Sequence, residues 1–222
     1  MKTLLRLCAA VLFCLLAAPA WAGILWDNGP VNGTLGGFTI NGGFYASNSF
    51  TLSARSSLTG AEFWTQGYQG DTIIIVDWVI AAPIPTGAGG TSVISGSSPT
   101  AYHYLFTDSH GYDVGDVTFS ITGVTLDAGS YWFELSNASV PTGHYIFWDV
   151  SNGPSAAWTP GSGYLGPTNC PYGSGTTCSE GFRLFGDAVG PTVPEPAGAM
   201  LLGPAILLLG LWRVISRSAA AR

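Results

Sequence analysis

Alternating apolar and polar positions recur along the chain and predict short β-strands. In Val114–Thr122, the apolar residues Val117, Phe119 and Ile121 alternate with threonine and serine. Because a strand points successive side chains to opposite faces, this segment predicts one buried and one exposed face. Asp71–Ile80 is apolar on both faces, which predicts a strand in the centre of a sheet.

Together the patterns predict about nine strands and no helix before residue 197. The residues expected on the core face of Asp71–Ile80 are Ile74, Val76, Trp78 and Ile80. The other predicted strands are Phe38–Ile40 and Gly43–Tyr45 (a hairpin through Asn41–Gly42), Asn48–Ser53, Ser57–Gln66, Ala101–Thr107, Tyr131–Ser136, His144–Val150 and Gly181–Gly186. Ala81–Pro99 is rich in Pro, Gly, Ser and Thr and predicts a loop, with at most a short strand at Ser92–Ser95.

Many short strands joined by turns predict an all-β fold. Two antiparallel sheets packed face to face, a β-sandwich of jelly-roll type, satisfy this pattern best, and a closed barrel is the alternative. The predicted organisation is a signal peptide at 1–22, the β-sandwich domain at 23–186, a linker at 187–196 and a C-terminal hydrophobic helix with a basic tail at 197–222.

The N-terminus has the three parts of an export signal. Lys2 and Arg6 precede an apolar stretch, Leu7–Ala18, which is followed by the small-residue site Ala20-Trp21-Ala22. This arrangement predicts cleavage between Ala22 and Gly23. An uncleaved anchor is the alternative.

The C-terminus carries a second apolar run, the sixteen residues Ala197–Trp212. At ~1.5 Å per residue, a helix of this length reaches about 24 Å and spans a bilayer with local thinning. The basic residues that follow, Arg213, Arg217 and Arg222, are expected to remain cytoplasmic. The sequence therefore predicts one transmembrane helix, with the body of the chain held outside the cytoplasmic membrane.

A short motif lies directly before that apolar run: Val193, Pro194, Glu195 and Pro196. The motif, the apolar helix and the arginines resemble, over about the last thirty residues, the PEP-CTERM sorting signal, a C-terminal motif also labelled after ice-binding proteins. The resemblance implies recognition by the membrane protease-transpeptidase exosortase, cleavage near the motif, and release or transfer to another anchor. It also implies an association with exopolysaccharide and biofilm. A plain anchor that is not cleaved is the alternative.

Charge excludes one class of partner. Between residues 23 and 193 the only basic residues are Arg55 and Arg183, against twelve acidic residues. Nucleic acid is therefore not an expected partner, because phosphate contacts need clustered Lys or Arg. In this exported segment Cys170 and Cys178 are expected to form a disulfide. A two-cysteine metal site is the alternative, but no histidine lies nearby in the sequence.

Aromatic residues beside carboxylates suggest sugar binding, because a flat ring matches the apolar face of a sugar and a polar neighbour supplies hydrogen bonds. Trp132 with Glu134, and Trp64 with Glu62, share one face of their predicted strands. Both pairs are candidate ligand-binding residues. Alternatively, either ring lies in the core, since a register slip of one residue reverses the faces.

Three carboxylates suggest a calcium site. Asp108, Asp113 and Asp116 lie in a predicted loop before a strand, and hard oxygen ligands on a flexible loop suit Ca²⁺. The simpler interpretation is that they are polar turn residues.

No motif for a catalytic nucleophile, a metalloprotease, a P-loop or a dinucleotide site is present. His103 is expected to be structural, and nothing in the sequence brings Glu62 and Glu134 together as a glycosidase pair. The sequence therefore predicts an exported, non-catalytic surface or matrix protein, attached to the membrane before processing, that contacts exopolysaccharide. A purely structural or adhesive module and an extracellular hydrolase are the alternatives.

Overall fold

The computed structural model describes residues 23–33, 36–160, 163–165 and 179–189. Several sequence predictions lie outside these residues and stay predictions. They are the signal peptide ending at Ala22, the pair Cys170 and Cys178, the motif Val193–Pro196, the apolar run and the arginines Arg213, Arg217 and Arg222.

Apart from one short 3-10 turn, all regular secondary structure of the described residues is β-strand, which confirms the predicted all-β class. They form thirteen strands, paired antiparallel, and one 3-10 turn at Thr86–Ala88. The strands are β1 Gly23–Asp27, β2 Gly37–Thr39, β3 Tyr45–Leu52, β4 Ser56–Gly67, β5 Ile75–Ala82, β6 Thr91–Thr107, β7 Asp113–Leu126, β8 Gly129–Ser139, β9 Phe147–Ser151, β10 Ala157–Thr159, β11 Gly163–Leu165, β12 Ser179–Glu180 and β13 Phe182–Ala188. Within the described part of the chain, no helix has the length and apolar character needed to cross a bilayer.

One long strand, β6, connects the two halves of a curled sheet. Its first half, up to Pro99, pairs with β5, and its second half, from Thr100, pairs with β7. From β5 the sheet continues through β8, β3, β10 and β11, and from β7 it continues through β4, β13 and β1. β9 joins through short pairings with β2, β4 and β12. The described strand path has two free ends, at β1 and β11, and is not a closed ring.

An aromatic cluster holds the two halves together. Phe133 of β8 lies 6.3 Å from Phe119 of β7, 5.9 Å from Trp148 of β9 and 5.5 Å from Phe182 of β13, measured between ring centroids. Phe63 of β4 packs edge-on against Phe119 and Trp148. Since burying each such ring contributes roughly 1.5–3 kcal/mol, contacts across the two halves stabilise the curl.

Several strands follow the predicted alternation. In β7, Val117, Phe119 and Ile121 are buried, whereas Thr118 and Thr122 are exposed. The predicted central position of β5 is also confirmed, because this strand pairs with β6 on one side and β8 on the other.

Ile74 does not join the core face of β5 as predicted. Val76, Trp78 and Ile80 are buried, but Ile74 is exposed and its neighbour Ile73 is buried instead. The reason is that β5 begins only at Ile75, so the residues before it do not follow the two-residue period of the strand.

The strands on either side of Asn41–Gly42 do not pair with each other, so the predicted hairpin is wrong. A turn is present, with positive φ angles at Gly42 and Gly43, but β2 pairs with β9 and β3 pairs with β8. Phe38 lies opposite Trp148 in this arrangement, so tertiary pairing to a distant strand replaces the local hairpin.

The predicted loop at Ala81–Pro99 is mostly strand. β5 extends to Ala82 and β6 starts at Thr91. The small residues of this segment fit a strand because a large ring lies beneath them: a Cβ atom at Gly96 would come within 2.5 Å of Cζ2 of Trp78. The Trp78 indole also donates a hydrogen bond to Ser98 Oγ at 3.0 Å. β5 thus supplies the apolar packing that β6 lacks.

Candidate functional site

The first predicted aromatic pair, Trp64 with Glu62, is covered by an arginine. Trp64 is only 5% exposed, and the Arg183 guanidinium carbon lies 5.1 Å from the ring centroid. Nη1 of Arg183 donates to Oε2 of Glu62 at 3.1 Å, and Nε lies 3.1 Å from Oδ2 of Asp27. The prediction of an open aromatic surface at Trp64 is therefore wrong, because Arg183 of β13 occupies that face.

The second pair, Trp132 with Glu134, is also buried. Both residues lie on the side of β8 opposite Phe133, as predicted, but that side has its own cover. Trp132 packs with Ala81 and Trp158. Glu134 accepts hydrogen bonds from the Thr86 amide at 2.9 Å and the Thr86 hydroxyl at 3.0 Å. The segment after β5 thus covers this face, and neither residue presents a surface to a ligand.

The two glutamates considered as a glycosidase pair are held by different partners. Glu62 lies on β4 beside Arg183, and Glu134 lies on β8 beside Thr86, in opposite halves of the curled sheet. Nothing in the described geometry brings them to a common cleft.

The three carboxylates of the predicted calcium site each have a separate hydrogen-bonding role. Asp113 accepts from the Thr107 hydroxyl at 2.7 Å and the Gly70 amide at 2.9 Å. Asp116 lies 3.1 Å from Nδ1 of the exposed His103. The described residues contain no group of three or more His, Cys, Asp or Glu side chains placed to hold a metal ion.

The third carboxylate, Asp108, belongs to the tip of the β6–β7 hairpin. Its Oδ1 accepts from the amides of His110 and Tyr112 at 2.8 and 3.0 Å, and its Oδ2 accepts from Nε2 of Gln66 at 2.6 Å. Burial acts to raise the pKa of Asp108, but these hydrogen bonds outweigh it, so the pKa is lowered. Asp108 is therefore a fixed negative charge at neutral pH.

Asp108 lines a cavity of about 420 Å³ with a second carboxylate that the sequence reasoning did not single out. This residue, Asp149, is 3% exposed and its Oδ1 accepts from the Val150 amide at 2.7 Å. Burial, reinforced by the charge of Asp108, raises the pKa of Asp149 to about 7. We call this cavity the acidic pocket; its lining includes Gln66, Phe106, Asp108, His110 and Asp149. In the sequence, the signal for this residue is an acidic side chain within the otherwise mainly apolar segment that forms β9.

Exposed aromatic rings lie at the same end of the fold. The ring of Tyr68 lies 5.3 Å from that of Tyr112 and 4.9 Å from that of His144. Phe44 packs edge-on against Tyr145, which follows His144 in the chain. We call these five residues the tyrosine edge. Since Tyr112 also donates its amide to Asp108, the tyrosine edge adjoins the acidic pocket.

A buried carboxylate orients the histidine of this edge. Nδ1 of His144 lies 3.2 Å from both oxygens of Asp71, which is itself buried and also accepts from the Thr142 hydroxyl. His144 itself is half-exposed. The arrangement holds the imidazole against Tyr68 and makes a rigid aromatic surface with hydrogen-bonding groups beside it.

Sequence reasoning missed this surface because its rings come from three separate turns, after β2, after β4 and between β6 and β7, and from the segment before β9.

Comparison with known proteins does not assign the chain to a family. No protein-family model matches the sequence, and no curated protein matches it significantly.

Proposed function

We propose that this chain is an exported surface or matrix protein that contacts exopolysaccharide, without catalysis, through the tyrosine edge and the acidic pocket. The observation that carries the proposal is the group of exposed rings beside fixed carboxylates. Trp64 and Trp132, which sequence reasoning favoured, have no part in it.

Sugar binding fits the chemistry of the tyrosine edge. Pyranose rings present apolar C–H faces, and Tyr68 and Tyr112 offer ring surface at low entropic cost. The neighbouring groups supply donors and acceptors: the His144 imidazole and the tyrosine hydroxyls at the edge, and Gln66 and Asp149 in the pocket.

Charge narrows the class of polysaccharide. Asp108 places a negative charge in the pocket, and both arginines of the body are already paired, Arg55 with Asp127 at 3.5 Å and Arg183 with Asp27 and Glu62. A polymer rich in uronic acid would meet like charge without compensation. The favoured ligand is therefore a neutral polysaccharide or one with free amino groups.

The same proposal includes the route to the cell surface. The signal peptide directs export, exosortase recognises the motif Val193–Pro196, and the apolar run anchors the chain in the membrane until processing. The described domain is proposed to be a β-sandwich of jelly-roll type, which the aromatic cluster between the two halves of the sheet supports. The mature protein then lies on the surface or in the extracellular matrix. The proposal requires no cofactor.

Removal of one ring at the tyrosine edge tests the binding site. Tyr68→Leu is expected to weaken binding of a neutral or amino-sugar polysaccharide about fivefold to tenfold, since one aromatic contact contributes about 1 kcal/mol. Tyr68→Phe keeps the ring and loses only the hydroxyl, so this matched control should lose less affinity than Tyr68→Leu. Calorimetric titration and a glycan array measure both.

Equal binding by wild type and Tyr68→Leu would show that the site lies elsewhere. No binding to neutral, amino-sugar or uronic-acid polysaccharides would contradict the proposed ligand class and favour the structural or adhesive alternative. Preference for uronic acid would contradict the charge argument.

The acidic pocket supports hydrolysis as a second candidate function. Two carboxyl groups whose environments move their pKa values apart, Asp108 downward and Asp149 upward, are the arrangement that glycosidases use for base and acid. Release of reducing ends by wild type, lost in Asp149→Asn, would identify this activity. Binding without release of reducing ends supports the non-catalytic proposal.

A further inference from the structure

The second half of β6, Thr100–Thr107, has a strand partner on one side only. It pairs with β7 from Thr100 to Thr107, whereas the pairing with β5 ends at Pro99 opposite Ile75. Thr100 makes the last contacts on that side, to the carbonyls of Ile73 and Ile74. In the described part of the chain, no strand pairs with the other edge of 101–107. We call this segment the β6 edge.

The β6 edge is apolar and exposed. Tyr104 is 50% exposed, Leu105 38% and Phe106 41%. Ala101 and His103 are exposed as well, and the segment contains no Lys, Arg, Asp or Glu. Its one titratable imidazole, His103, points to Asp116 of β7. Protein edge strands ordinarily carry charges or prolines that prevent pairing with another chain. The β6 edge has neither.

Pairing register further favours an added strand. From Thr100 to Tyr104 the ladder with β7 is regular, and the irregularity lies only between Tyr104 and Phe106. Of this regular run, Ala101–Tyr104 belongs to the open edge and presents the undistorted backbone that β-augmentation requires. The remaining apolar residues extend the contact beyond the regular run.

A second copy of the same edge is the partner that fits. The chain is acidic overall, with a formal net charge of −6, so most surfaces of two copies repel each other. The β6 edge contains no Asp, Glu, Lys or Arg, so like charges of its own do not oppose pairing there. Antiparallel pairing about a two-fold axis at Tyr104, the middle of Ala101–Thr107, sets uncharged side chains opposite each other. It also satisfies both open edges at once, so the assembly closes as a dimer.

We propose that the β6 edge is a self-association surface at which two copies pair antiparallel through Ala101–Thr107. The two curled sheets then continue across the interface. Phe106 and Thr107 of this edge also line the acidic pocket, whereas Leu105 belongs neither to that lining nor to the tyrosine edge, so a substitution at Leu105 tests association directly.

A charge placed on the edge tests this proposal in the full-length chain in detergent. Light scattering, with the micelle contribution subtracted, is expected to give a concentration-dependent dimer for wild type. Leu105→Lys should raise its dissociation constant at least about tenfold, because the two lysines would be diagonal neighbours beside the two-fold axis, where like charges repel. Val93→Lys is the matched control, since Val93 is 50% exposed on the first half of the same strand. Its dissociation constant should equal that of wild type.

A cysteine probe locates the interface. Tyr104→Cys should form an intermolecular disulfide that non-reducing electrophoresis resolves, because residue 104 lies on the two-fold axis opposite its own copy, whereas Val93→Cys should not. Circular dichroism and thermal unfolding equal to wild type show that each variant is folded. A monomer at all concentrations would overturn the proposal. So would a dimer that Leu105→Lys leaves unchanged, which would assign association to another segment, or equal weakening by Val93→Lys.

Discussion

Two buried carboxyl groups carry much of the electrostatic character of this protein. Asp149 lines the acidic pocket, where its pKa rises to about 7. Glu180 of β12 is fully buried, and in the described part of the chain neither of its oxygens has a hydrogen-bond partner. Burial raises the pKa of Glu180 well above its ordinary value of 4.5. Both groups make stability depend on pH.

Glu180→Gln is expected to stabilise the fold at alkaline pH. In the wild type, the unfolded chain releases the proton of Glu180 above about pH 4.5, whereas the folded chain retains it to higher pH. The free energy of unfolding therefore falls as pH rises above that value. Glutamine cannot ionise, so at pH 8 the variant should gain on the order of 1–3 kcal/mol over wild type.

Urea unfolding at pH 5 and pH 8 measures this effect, with Glu62→Gln as the control. Glu62 is paired with Arg183, so its substitution removes a favourable interaction and brings no such gain. If wild type and Glu180→Gln lose stability in parallel between the two pH values, the assignment to Glu180 is wrong, and Asp149 becomes the main source of the slope.

At the scale of single elements, β6 is the strand that organises the fold. Its seventeen residues pair with β5 and then with β7, and the change of partner falls at Pro99 and Thr100. Proline interrupts the donor pattern of a strand and is tolerated where pairing ends. The small residues before it allow close packing over Trp78, and the apolar residues after it form the β6 edge.

Gly96→Ala is expected to destabilise this junction. Any Cβ at position 96 would lie within 2.5 Å of the Trp78 ring, so the indole must shift and its hydrogen bond to Ser98 weakens. Overpacking of this kind costs about 1–3 kcal/mol. Ser95→Ala, at the exposed neighbouring position, is the control. Chemical denaturation compares the variants, and an unchanged midpoint for Gly96→Ala would show that the ring is free to move.

Strand prediction succeeded where the sequence period itself reflects burial. The alternation in β7 and in Phe50 and Leu52 of β3 reappears as buried and exposed faces. It failed where the neighbouring strand determines whether a segment forms a strand and with which strand it pairs. The first half of β6 is polar and rich in small residues, and its apolar contacts come from β5. β2 pairs with β9, a strand distant in the sequence, and not with the strand that follows it.

At the scale of the whole molecule, both sides of the sheet are covered in places. The segment around Thr86 covers Trp132 and Glu134, and Arg183 covers Trp64. As a result the tryptophans that look like binding residues in the sequence are structural. The open aromatic surface is made of Tyr and Phe at turns, and the apolar–polar alternation within a single strand does not reveal it.

The sorting motif leads to a prediction about the whole chain. The double variant Pro194→Ala/Glu195→Ala should abolish C-terminal processing in a host that has exosortase, because the motif is the proposed recognition element. Pro191→Ala, a proline just outside the motif, should be processed normally. Mass spectrometry determines the C-terminal residue of each mature protein. Identical mature ends for wild type and the double variant would contradict exosortase processing at this site.

The sequence by itself determined the all-β class, the positions of most strands and the acidic character of the body, because these depend on local periodicity and composition. Tertiary structure alone decided which strands pair, where β6 changes partner and which aromatics reach the surface. The physical reason is that exposure of a ring depends on what covers its face. For Trp64 that cover is Arg183, more than a hundred residues away in the chain, and no local pattern records such a contact.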